Sequence, residues 1–395
     1  MMNNRNSEPQ PGRVDELDGV RGLLSLWVVL SHICCWTGFW EWVAPFPIRR
    51  LWAEFIHADA AVEIFMILSG FAISILLHKR TQSYGQFMQG RFFRIYPVYV
   101  SCLLLGMAAA SFTPFVLHTA MWRDSVYFEV NRSFSFSESS ATGLHAFWHL
   151  TLLNGLIPRS VLSNSTATLL APAWSISLEW QYYLVAPFIA RLVRSGFGWV
   201  FLTGLAWVGL RSAHLWINPH LAFLPAQLPL FLIGIGSYHL YQKIDRFSGR
   251  QSSVGLLVIG LLLATSILKS WHSSALIGWT VGFGCIVLRG NDPLSRTLSV
   301  LRGFLLHRWL QYLGKISYPV YLVHWPFIVM FLALLLHWNP GISSPFALLI
   351  TLSLGLPVIL ITANLLHIMV ERPMMKLGKQ LSRRTLAVGA VPEPG

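Results

Sequence analysis

Apolar residues in this chain gather in blocks of 17 to 26 residues, separated by shorter polar and mostly basic segments. A block of that length and composition suits a helix crossing a hydrocarbon layer of about 30 Å. Ten such blocks are expected to span, at roughly 21–40, 60–78, 93–114, 174–193, 197–213, 221–241, 253–270, 273–289, 316–337 and 345–370. The long connection 115–173 is polar and Ser-rich around SFSFSESSATG. Within it, HAFWHLTLLNGLI (145–157) reads as a re-entrant or interfacial helix. No internal repeat and no long low-complexity tract interrupts the pattern.

Composition strengthens this reading. The chain has 395 residues, of which 54% are hydrophobic and only 11% charged, where a soluble domain carries about 25%. Mean hydropathy is +0.55. The expectation is an all-α polytopic membrane protein of about ten transmembrane helices. Residues 1–16 are polar, so no cleavable signal peptide is expected before the first block. Cys34, Cys35, Cys102 and Cys285 lie in apolar segments without metal-ligand spacing and read as helix-packing thiols. Basic residues set the orientation. With the N-terminus inside, 21 of the 29 Lys and Arg residues fall in cytoplasmic segments and seven outside, leaving Arg21 within the first helix. That asymmetry predicts an N-in/C-in arrangement. The net charge of +13 is thereby accounted for by membrane orientation, and nucleic acid is not expected as a partner.

Ionisable groups inside spans are costly and face a cavity or a partner, so the few present are informative. In LDGVRGLLSLWVVLSHI, Arg21 and His32 are eleven residues apart, which returns to nearly the same helix face about 16 Å along the axis. A lone buried histidine is more often a satisfied structural group. One stacked above a cation on the same stripe is a candidate acid/base. Glu63 begins the second span and must be paired or wet, and Ser69-Gly70 in that span permits close helix approach. In RFFRIYP, Arg91 and Arg94 share a face at i, i+3 and can grip a phosphate in fork geometry, although taken alone the pair is better explained by positive-inside anchoring. In WSISLEWQYY, Glu179 lies about one turn in, followed by Tyr182 and Tyr183. In ISYPVYLVHWPF, Ser317, Tyr321 and His324 fall at i, i+4 and i+7 on one polar face.

LDGVRG with R-x10-H, EIFMILSGF, RFFRIYP, WSISLE, ISYPVYLVHWPF and ERP occur here in one order across residues 17–373. Together they resemble the acyltransferase 3 family, membrane O-acyltransferases of bacterial surface polysaccharides, lipopolysaccharide, Nod factors and macrolides. One departure is Glu63-Ile64, where the family usually has Asp before an FFxLSGF element. The chain resembles the stand-alone form, without an extracytoplasmic esterase-like domain. The resemblance implies a division into a polar cytoplasmic N-terminus (1–16), a transmembrane acyltransferase domain (17–373, with extracytoplasmic loop 115–173) and a cytoplasmic tail (374–395).

The resemblance also implies acetyl-CoA, or another acyl-CoA, as co-substrate from the cytoplasmic side, and no metal. The acceptor would be a hydroxyl of a carbohydrate or glycolipid, and the location the inner membrane of a bacterium. It further implies His32, Arg21, Glu179 and His324 as catalytic, with His32 a general base or acyl carrier. Arg21, Arg91 and Arg94 would hold the donor, and Glu63, Ser177 and Tyr321 the acceptor. A different class of function, a proton-coupled transporter using His32, Glu179 and His324 as a relay, would need matching broken helices in two halves, and none are visible.

The charge asymmetry makes topology testable. A reporter fused after Gly395 should report the cytoplasmic side, and one inserted in 115–173 the outer side. A Gly395 fusion active only outside would overturn the arrangement.

Overall fold

The structure is a computed structural model that describes residues 14–43, 45, 58–79, 82–158, 160–216, 222–244, 273–289 and 293–389. The described residues fold as helices in the order α1 (Glu16–Trp36), α2 (Phe39–Val43), α3 (Asp59–Lys79), α4 (Tyr84–Ala110), α5 (Thr113–Thr119) and α6 (Val126–Leu150). After a 3-10 turn at Asn154–Leu156 come α7 (Ala173–Leu192), α8 (Gly196–Trp216), α9 (Leu224–Ile244), α10 (Ser273–Val287), α11 (Pro293–Leu305) and α12 (Arg308–Trp338). The last stretch is α13 (Ser344–Ile350), α14 (Leu356–Leu366) and α15 (Arg372–Gly389), joined by π turns at Thr351–Gly355 and His367–Glu371. Among the described residues, five helices are long and apolar enough to cross a membrane: α1, α3, α4, α12 and the run Ser344–Arg383. The protein is an all-α polytopic membrane protein. The expected span 253–270 lies outside the described residues.

Two spans are longer than their apolar blocks. α4 begins at Tyr84 because SYGQ forms a capping box: Ser83 Oγ accepts from Gln86 N at 3.3 Å, and Ser83 N donates to Gln86 Oε1 at 3.0 Å. α4 therefore runs 27 residues, about 40 Å. α12 begins at Arg308, eight residues before the expected boundary. The Ser-rich stretch expected as loop is also helical. Ser125 Oγ accepts from Phe128 N, α6 continues for 25 residues, and the helix kinks at Ala141 (φ −147°, ψ 35°). Helix formation satisfies the backbone N–H and C=O groups of this stretch internally, and this outweighs its polar composition. The expected boundary at 373/374 falls inside α15.

Close backbone contact organises the bundle. α1 and α12 touch through glycines: a Cβ on Gly22 would stand 2.4 Å from the Leu310 carbonyl oxygen, and one on Gly314 1.9 Å from that of Asp18. α3 and α9 do the same, with Gly70 against the Phe231 carbonyl (2.3 Å) and Gly234 against that of Ile67 (1.9 Å). Small residues at such crossings let helices approach where lipid offers little hydrophobic drive. The connection before α7 is held by two buried leucines in the left-handed region, Leu152 (φ 59°) and Leu169 (φ 62°). Each costs roughly 1–2 kcal/mol. All four cysteines are free, and Cys34, Cys102 and Cys285 are buried.

Gly314→Ala should overpack the α1–α12 crossing and cost about 1–3 kcal/mol. Thermal unfolding of the detergent-solubilised protein should show a lowered midpoint. Gly303→Ala, where a Cβ meets nothing within 4 Å, should leave it unchanged or slightly raised.

Candidate active site

A cavity of about 450 Å³ runs between α1, α3, α4, α7 and α12. Along α3 it extends from Lys79 to Val62, about 26 Å by helical rise. One end carries Arg21, Lys79, Arg91 and Arg94. Arg21 lies 3.4 Å from Asp18, one turn earlier in α1. Arg91 stacks over the Tyr183 ring at 5.7 Å and Phe87 at 6.0 Å. Its Nε is buried and makes no hydrogen bond within the protein. Several guanidinium groups gathered in a cleft of low dielectric make a receptor for a strongly anionic group.

Glu179 stands midway. Ser69 Oγ donates to Glu179 Oε1 at 3.1 Å, and the Tyr183 hydroxyl donates to the same oxygen. Ser175, Glu179 and Tyr183 are four residues apart on α7, so one stripe of that helix faces the cavity. At the far end, the Ser175 and Tyr321 hydroxyls lie 2.7 Å apart, and Ser175 Oγ donates to the Pro172 carbonyl at 3.1 Å.

The two histidines meet beside this end. His324 Nε2 lies 3.1 Å from His32 Nδ1, with the rings stacked at 5.0 Å and 25°. His324 is fully buried, and its Nδ1 has no hydrogen-bond partner. The Tyr321 ring is 6.0 Å from His324 and 6.1 Å from Phe65. Neither histidine lines the cavity; Tyr321 touches the cavity and His324 alike. Across the 3.1 Å between the facing nitrogens one donates and the other accepts, so the tautomers of the two imidazoles are linked.

The structure thus brings Arg21, Arg91, Arg94, Glu179 and Tyr321 to one cavity and pairs His32 with His324 beside it. Two expected residues lie elsewhere. Ser177 Oγ accepts from Gly155 N at 3.1 Å and from Gln181 Nε2 at 3.4 Å, so it clamps the connection before α7 and does not line the cavity. Glu63 does not line it either; Val62, Phe65 and Met66 present that part of α3. The relay expected of a transporter is not continuous, because the hydrogen bonds of Glu179 run to Ser69 and Tyr183. Ser175, Ser69 and Lys79 line the cavity without having been expected there; the i, i+4, i+8 spacing of Ser175, Glu179 and Tyr183 carried the signal for the first. Among the described residues, no group of three or more His, Cys, Asp or Glu is placed to hold a metal ion.

The family model of an acyltransferase domain matches residues 14–364. Acyltransferase MdmB of Streptomyces mycarofaciens is 24% identical over 429 aligned residues, covering 98% of this chain and 97% of that protein. Protein 2 in picA locus of Rhizobium radiobacter is 29% identical over 181 residues, 44% of this chain and 80% of that protein. No solved structure matches.

Proposed function

The chain belongs to the acyltransferase-domain family, and from that premise we propose that it moves a short acyl group, acetyl being the simplest, from acyl-CoA to a sugar hydroxyl. It is a membrane acyltransferase, with an acyl donor and an acceptor as substrates. The observation that carries the finer reading is the polarity of the cavity, cationic at one end and bounded at the other by Tyr321 beside a histidine pair. The CoA phosphates go to Arg21, Arg91 and Arg94, and the otherwise unbonded Nε of Arg91 is one donor for them. The pantetheine arm follows α3 past Ser69 and Glu179. On α1, His32 stands eleven residues beyond Arg21, about 16 Å, so the thioester arrives at the level of the histidines.

His32 acts as the base. With His32 Nδ1–H donating to His324 Nε2, the lone pair of His32 Nε2 is available to the acceptor hydroxyl. The alkoxide oxygen attacks the thioester carbonyl, the C–S bond breaks, and the thiolate leaves. The proton taken by His32 then passes to the thiolate or to water. In this scheme His324 is a positioning residue that fixes the tautomer. Because the acceptor is a surface glycan or glycolipid and the donor is cytoplasmic, the protein works in the inner membrane of a bacterium, with the basic end of the cavity inside.

Arg91→Ala with Arg94→Ala should weaken binding of radiolabelled acetyl-CoA by about 1–3 kcal/mol per lost charge-assisted contact, with little change in protein yield. Unaltered affinity in the double variant would return both residues to membrane anchoring.

His32→Ala should lower acyl transfer by about 10²–10⁴ in rate, while the protein still inserts and still binds acetyl-CoA. Transfer is read as acylation of cell-surface glycans by mass spectrometry. Near-normal transfer by a correctly inserted variant would remove His32 from the mechanism.

A further inference from the structure

The cavity does not end where the histidines stand. It reaches Val62, seven residues and about 10 Å beyond Ser69 on α3, and three residues, about 4.5 Å, beyond Phe65. Phe65 packs against the Tyr321 ring, so this last turn is a recess past the point where the thioester would lie. Its walls are hydrocarbon: Val62, Phe65, Met66 and Ile176 line the cavity here. The two hydroxyls at this end are already engaged. Ser175 and Tyr321 bond each other, and Ser175 also bonds the Pro172 carbonyl. A sugar placed in the recess would lose its hydrogen bonds to water and gain few in return. An alkyl chain loses nothing there and removes apolar surface from water.

Building on the acyl-CoA reading, we propose that this recess is an acyl-chain pocket, and that Val62 and Phe65 set the length of the transferred group. A chain advancing about 1.3 Å per carbon, from bonds of about 1.5 Å, places two to three methylenes in a 4.5 Å recess. The preferred donor therefore carries an acyl group of about four carbons. Acetyl fits but leaves the pocket partly empty, and long chains must extend past Val62, the last residue of α3 that lines the cavity. Phe65 is the side wall, held in place by Tyr321, whose hydroxyl is tied to Ser175. Val62 is the floor.

The test uses the purified full-length protein in detergent and measures binding of radiolabelled CoA, acetyl-CoA, butyryl-CoA and decanoyl-CoA by equilibrium dialysis, so no acceptor is needed. Each buried methylene should tighten binding about fourfold, which makes butyryl-CoA about sixteenfold tighter than acetyl-CoA. Decanoyl-CoA should bind at least tenfold more weakly than butyryl-CoA. Val62→Phe should reduce the butyryl-to-acetyl affinity ratio to about one. Val62→Ala and Phe65→Ala, which remove bulk and do not depend on fitting a larger side chain, should raise the decanoyl-to-butyryl ratio several-fold. CoA thioesters that all bind alike, or ratios that stay the same in the Ala variants, would overturn the pocket while leaving the donor site standing. Failure of CoA and every thioester to bind would overturn the donor reading itself, and the pocket with it.

Discussion

Everything at the candidate site depends on the closeness of α1 to α12. At Gly22 and Gly314 the backbones approach so nearly that any side chain atom would meet a carbonyl. In lipid, where apolar side chains gain little by leaving the solvent, such contact is what fixes one helix against another. Ten residues beyond Gly22 and Gly314, respectively, stand His32 and His324. The two helices leave the crossing side by side, so the register set by the glycines carries through to the imidazoles, which meet at 3.1 Å. The same crossing directs Arg21 into the cavity. One packing constraint thus places a cation and an imidazole pair about three helical turns apart.

α7 completes the arrangement from the other side. Ser175, Glu179 and Tyr183 succeed one another at four-residue intervals, and each contributes a different interaction: a hydroxyl bond to Tyr321, an acceptor for Ser69, and a ring beneath Arg91. The helix supplies a graded wall, from hydroxyl to carboxylate to aromatic face to guanidinium. The carboxylate also offsets the repulsion among the arginines, since like charges in a cleft of low dielectric repel strongly unless a counter-charge or ligand is near. Arg21, Arg91, Arg94 and Glu179 thus face one cavity, as ionisable groups buried in a membrane tend to do.

Much of this was legible in the sequence. Apolar block length marked where the helices run, and the i, i+4 and i, i+7 relations of Ser317, Tyr321 and His324 marked one polar face. Eleven-residue spacing gave another. Less legible were features that depend on side chains competing for partners. Ser177 and Ser175 are two residues apart on α7 and look alike in WSISLE. Only the fold reveals that Ser177 is taken by the Gly155 amide while Ser175 meets Tyr321. The helical course of α6 was hidden by its serines, because composition reports exposure to water and cannot report where the backbone must satisfy itself. The early start of α4 was available in SYGQ but masked by the apolar block, which begins nine residues later.

The length of α4 has a consequence for the medium around the protein. A helix of about 40 Å exceeds a hydrocarbon layer of about 30 Å, so its basic end, with Arg91 and Arg94 in its second and third turns, lies close to the layer of lipid head groups. Lys79 closes α3 at the same level. On the acyl-CoA reading proposed above, phosphates of lipid head groups and phosphates of the donor would compete for the same cations, which makes the anionic lipid of the surrounding leaflet a rival for the site.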